Sequence, residues 1–106
     1  MIKVSGWLPI GSVVEVAGSD VPVFIAGHMQ HEVDEDAYWD YSGFAYPLGN
    51  IGTGSNIVFN KDAIENVLFI GYQDTDGLRW MDALEASEEE FEKARSTSSG
   101  TARAAG

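Results

Sequence analysis

The chain has 106 residues and a net charge of −11, from 17 acidic against 6 basic side chains, a length that allows one modest core and no second domain. A surface that negative repels phosphate backbones and anionic lipid headgroups, so direct binding to nucleic acid or to a membrane is disfavoured. With 44% hydrophobic residues a core should form, and the absence of cysteine removes disulfides, thiolate metal sites and cysteine nucleophiles, as fits a reducing compartment.

The opening, MIKVSGWLPIGSVV, holds one lysine and an apolar stretch broken by Gly and Pro, unlike a signal peptide or a spanning helix. A cytoplasmic protein is expected. Residues 12–17, SVVEVA, are rich in β-branched side chains, and the turn chemistry of GSD leads into VPVFIAGHMQ, which predicts a β-hairpin with Pro22 at the start or edge of its second strand. Val21, Val23 and Ile25 alternate with Phe24 and Ala26, so both faces of that strand read as apolar and covered. HEVDEDAYWDYS, 31–42, packs five acids into a short span and reads as a solvated loop or an exposed continuation of the hairpin.

A third strand is expected at GFAYPLG, where Phe44, Tyr46 and Leu48 share one face. A glycine-rich turn follows, then a short extended NIVFN. Asn60 is placed to cap a brief helix through Lys61–Glu65, and NVLFIGY, 66–72, reads as the last strand. Beyond Asp74, Thr75 or Asp76 as caps, Trp80, Ala83, Leu84, Ser87 and Phe91 recur at the spacing of one helical face, with Glu89 and Lys93 as an i,i+4 pair. The expected architecture is α+β: a bent antiparallel sheet of four or five strands, or a small partly open barrel, with a short helix and a C-terminal helix. Residues 1–95 are expected to form one globular domain, and 96–106 a disordered tail with nothing to bury.

Three ordered segments, LPIGSVVEVAG at 8–18, WDYSGFAYPLGNIG at 39–52 and FNKDAIENVLFIGYQD at 59–74, together resemble a family. The shared pattern is an LP-I-G-(S/T)-V-V opening, a D-Y pair before an extended G-F/V-x-Y-P-x-G, and an F-N-x-x-x-I-x-x-V-x-F-x-G-Y ending. It is similar to the small domain-of-unknown-function family encoded beside LXG polymorphic toxins in the type VII secretion loci of Gram-positive bacteria. The resemblance implies a cytoplasmic, non-enzymatic accessory protein that binds the LXG targeting region of a toxin encoded nearby and helps deliver it to the secretion machinery. An acidic immunity protein that neutralises a basic toxin domain is the alternative.

Residues with chemical potential are few. His28, His31 and Asp34 offer an H-x-x-H-x-x-D series of metal ligands, but on a strand positions 28 and 31 point to opposite faces, and a solvated acidic loop with two incidental histidines is the plainer expectation. GNIGTGS lacks the Lys-Ser/Thr ending of a P-loop. Asp36 with Asp40 as an acid/base pair would need a cleft, and a triad would need Ser12, Ser42 or Ser55 beside a histidine. No catalytic, metal or cofactor site is expected. The protein-binding candidates are the aromatics Tyr38, Trp39, Tyr41, Phe44 and Tyr46. Of these, Trp39 and Tyr41 combine apolar area with a polar tip in an acidic context, as interface anchors do. Trp7 and Trp80 are expected to be structural.

Overall fold

The computed structural model describes residues 6–97. Five strands, β1 (Val13–Val16), β2 (Val23–Glu32), β3 (Ala37–Ala45), β4 (Ile57–Phe59) and β5 (Ile64–Phe69), precede one helix, α1 (Thr75–Thr97). All neighbouring strands are antiparallel, in the order β4-β3-β2-β1-β5. The class is α+β, as the sequence predicts.

The connection between β4 and β5 explains how the sheet is shaped. These strands are consecutive in the chain yet occupy its opposite edges. Four flat inter-strand spacings would hold them about 19 Å apart. The link between them contains a 3-10 turn, Lys61–Ala63, which advances only about 2 Å per residue. The sheet must therefore curl until its edges approach at this end; Ala17 N–H donates to Ala63 O at 2.8 Å, continuing the pairing of β1 with β5 past Val16 and Ile64. It remains an open sheet and does not close into a barrel: among the described residues β4 pairs with β3 and β5 with β1.

Leu8, Val14, Val16, Val23, Ile25, Tyr41 and Phe59 fill the inside of the curl. In β2 the register shifts between Ile25 and Gly27. One extra residue there moves the inward positions from Val23 and Ile25 to His28, which is 7% exposed. The other face of β2 is less covered than the alternation predicts, with Phe24 half-buried and Ala26 exposed. Gly71 lies so close to the segment before β1 that a Cβ there would sit 2.2 Å from Ile10 O, and its N–H donates to the buried Ser12 Oγ at 2.9 Å.

Several predicted elements are displaced. The brief helix expected through Lys61–Glu65 is the 3-10 turn Lys61–Ala63, and the last strand is Ile64–Phe69 rather than 66–72. The third strand is Ala37–Ala45 rather than GFAYPLG, because the acidic span continues the hairpin through a turn at Val33–Asp36. The strand ends before Pro47, which has no N–H for a ladder. On α1 the cap is Asp74, one of the three candidates, its Oδ1 accepting from Gly77 N–H at 2.9 Å. The inward face, however, is Gly77, Met81, Leu84, Glu88, Phe91 and Arg95, in steps of four and three. Ala83 and Ser87 are exposed, and Glu89 and Lys93 form no ion pair. A search for apolar periodicity passes over Glu88 and Arg95, so the expected face was rotated. The helix also runs through Thr97, beyond the domain boundary expected at residue 95, and the remainder of the expected tail, 98–106, lies outside the described residues.

Candidate protein-docking site

A cluster of rings and polar atoms joins the start of the domain to α1. Trp80 is an obligate donor, so the 2.9 Å contact from its Nε1–H makes His28 Nδ1 an acceptor. The ring proton then sits on Nε2, which donates to Leu8 O at 2.7 Å. Burial lowers the pKa of His28, with the Leu8 bond opposing, so the imidazole is neutral at pH 7. Trp7 packs edge-on against both His28 and Tyr41, and the Tyr41 hydroxyl accepts from Leu8 N–H at 2.9 Å. Burial, outweighing that bond, pushes the Tyr41 pKa up to about 12. Far from being an incidental loop residue, His28 is bonded on both nitrogens inside the fold.

A second cluster centres on Asp40, 5% exposed in β3. Its Oδ2 accepts from Lys61 N–H at 2.8 Å, its Oδ1 pairs with Arg95 of α1, and its own N–H donates to Asn60 Oδ1. Asn60 does not cap the 3-10 turn through its side chain; the carboxylate of Asp40 reaches the Lys61 amide instead. Between the clusters, Glu88 accepts from Trp7 Nε1–H at 2.6 Å and approaches Lys61 Nζ at 3.5 Å, while that ammonium lies 3.8 Å from the centroid of the Trp7 ring.

The catalytic and metal candidates are not brought together. His31 pairs with Asp36 at 2.9 Å and stacks on Tyr38, while His28 points into the core. Among the described residues no three His, Cys, Asp or Glu side chains are grouped to hold a metal ion. Asp36 and Asp40 have different partners, His31 and Arg95. Ser12 serves Gly71, and Ser55 organises the 50–55 turn with Asn50 and Gly52; neither is bonded to a histidine.

The five aromatic docking candidates separate. Tyr41 is 0% exposed and belongs to the core, stacked on Phe59, so it is unavailable to a partner. Tyr38 is half-buried between His31 and Phe91 of α1. Trp39 is half-buried, donates to Glu32 Oε1 at 2.8 Å, and lines a cleft of about 410 Å³ with Val16, Ile57 and Phe59. Phe44 is half-buried against Phe24. Tyr46 and Leu48 lie past the end of β3 and are exposed instead of sharing a core face with Phe44. Of the two tryptophans expected to be structural, Trp7 packs on the core, whereas Trp80 is 48% exposed and meets His28 through its N–H and its ring.

A further apolar display lies elsewhere. β5 ends the sheet and, among the described residues, pairs with β1 alone. Leu68, Phe69 and Ile70 on it and just beyond it are each more than half exposed, and Tyr72 follows. A groove of about 320 Å³ runs between residues 67–70 and Gly6, Trp7 and Leu8. Unpaired backbone beside exposed apolar side chains is the arrangement that accepts an added strand from another chain. The run V-L-F-I in NVLFIGY carried the signal, but such a run equally describes a covered central strand.

Residues 7–80 match the family described as Domain of unknown function (DUF4176). The chain belongs to that family. The DUF4176 match takes in all five strands and the first turns of α1, and leaves Met81 onward outside it. No curated protein and no solved structure matches the chain. Among the described residues no helix is long and apolar enough to cross a membrane.

Proposed function

We propose that this protein is a non-enzymatic, cytoplasmic accessory factor that binds the LXG region of a type VII-secreted toxin, and that its docking surface is the edge of the sheet formed by β5. The observation that carries this is the row of exposed apolar side chains, Leu68, Phe69 and Ile70, on a terminal strand beside an apolar groove. Water-exposed apolar area of this kind gains free energy when a partner covers it, about 25 cal/mol for each Å² removed from water. The net charge of −11 steers the surface toward a basic partner and away from nucleic acid. The link to LXG toxins rests on the three ordered sequence motifs. The residues that looked capable of chemistry have other employment: His28, Asp40 and Ser12 each satisfy a buried backbone or side-chain group.

Co-expression with the two halves of a neighbouring toxin, supplied separately, tests the proposal. An accessory factor co-purifies with the LXG half. Retention of the catalytic half alone would establish the immunity alternative, which the acidic surface also suits. Retention of neither half would remove both.

A further inference from the structure

Trp39, one of the aromatic candidates in the sequence, takes no part in docking at β5. It lines the cleft of about 410 Å³ that is bounded by the end of β1 and the turn after it, by β4 and by the 3-10 turn. A cavity of this size with largely apolar walls is the usual form of a binding pocket, and the mouth of a curled sheet is a frequent place for one. Val16, Ile57 and Phe59 supply the apolar wall. The Trp39 N–H is taken by Glu32 Oε1 at 2.8 Å, so the ring is what the indole has left for a guest.

The charge of the cleft is local and of one sign. Asp62 is the sole ionisable residue of its lining. That side chain is exposed and joins no ion pair among the described residues. Lys61, its neighbour in the chain, turns its ammonium to Trp7 and Glu88, neither of which lines the cleft. Asn60 accepts from Asp40 N–H through Oδ1, which leaves its amide N–H groups to donate. A ring, a carboxylate without a cation and an amide donor thus surround one apolar cavity.

We propose that this cleft is a receptor for an arginine side chain presented by a polypeptide partner. The guanidinium stacks on the Trp39 ring and donates to the Asp62 carboxylate, and its methylene stem covers the apolar wall. A backbone carbonyl of the same segment accepts from the Asn60 amide. Lysine fits less well, because its ammonium has no flat face to lay on an indole and is more strongly hydrated. Free arginine also fits less well, since its α-carboxylate would meet no cation in a lining whose one charge is negative. The proposal goes beyond the β5 reading, because it concerns other residues and a guest of different chemistry.

Nitrogen-15 NMR titration of the full-length protein tests it with two capped tripeptides, acetyl-Ala-Arg-Ala-amide and its counterpart with citrulline, which keeps the shape of arginine without the charge. The arginine peptide should shift the Trp39 indole resonance and the amides of residues 17–19 and 57–63, with half-saturation below about 10 mM. The citrulline peptide should bind at least about five-fold more weakly, the loss expected for one exposed ion pair. Asp62→Asn, at an exposed position outside any ion pair, should bring the arginine peptide down to the citrulline level, and free L-arginine should bind more weakly than the peptide. Equal affinity for the two peptides, undiminished binding to Asp62→Asn, shifts confined to other regions, tighter binding of free L-arginine, or no shift at about 10 mM peptide would each overturn the proposal. No toxin enters this assay and no β5 side chain is changed, so its failure leaves docking at β5 standing.

Discussion

Trp80 donates its indole N–H to Nδ1 of His28 at 2.9 Å, tying the first turns of α1 to the buried side of β2. Protonation would place a second N–H against that donor, so the bond requires the neutral ring. In the unfolded chain the histidine titrates near its ordinary 6.5, and burial holds the folded-state value lower. Between those values the unfolded state binds more protons. The contribution to stability is therefore complete above about pH 6.5 and is lost as pH falls toward the folded-state pKa, with a slope of at most about 1.4 kcal/mol per pH unit. Urea unfolding at pH 7 and 5.5 should show this step in the wild type and a smaller one in His28→Gln. Equal steps would assign the pH dependence to other groups.

Tyr41 gives a prediction that distinguishes packing from docking. Tyr41→Phe keeps the ring against Phe59 and Trp7 but leaves the buried Leu8 amide without its acceptor. The expected cost is about 1–3 kcal/mol of stability, read from denaturant midpoints at unchanged slope, with binding of a partner unaltered in the folded protein.

Asp40 and Arg95 should not be equivalent. Asp40→Ala removes the acceptor of the Lys61 amide as well as the partner of Arg95, and should cost about 2–4 kcal/mol. Arg95→Ala should cost less, since Asp40 keeps the Lys61 amide and regains water when the last turn of α1 frays. Thermal or chemical unfolding of both variants checks the order; a larger loss for Arg95→Ala would contradict it.

The elements written by local chemistry were legible in the sequence. The β-branched run expected over 12–17 forms a strand at Val13–Val16, the chain turns at Gly-Ser-Asp, and Asp74, one of three candidate caps, closes the start of α1; each follows from near neighbours. What could not be read depends on distant contacts. The extra residue near Ala26 turns His28 inward, and the charged face of α1 makes sense only once Asp40 and Lys61 are seen beneath it, 55 and 27 residues away along the chain. The same limit applies to the docking residues. Tyr41, in an acidic context, resembles a surface ring but is sealed by the curl of the sheet, while Leu68 and Phe69, in a run that resembles core, stand on its open edge.

Docking through β5 is tested most directly by the affinity of a purified LXG half for the wild type and for Leu68→Asp and Phe69→Asp, with circular dichroism confirming that each variant is folded. Both side chains are already exposed in the free protein, so the substitutions should leave the fold intact while weakening binding by about ten- to a hundred-fold, the loss expected when an interface anchor is removed. Affinities equal to that of the wild type would contradict the account.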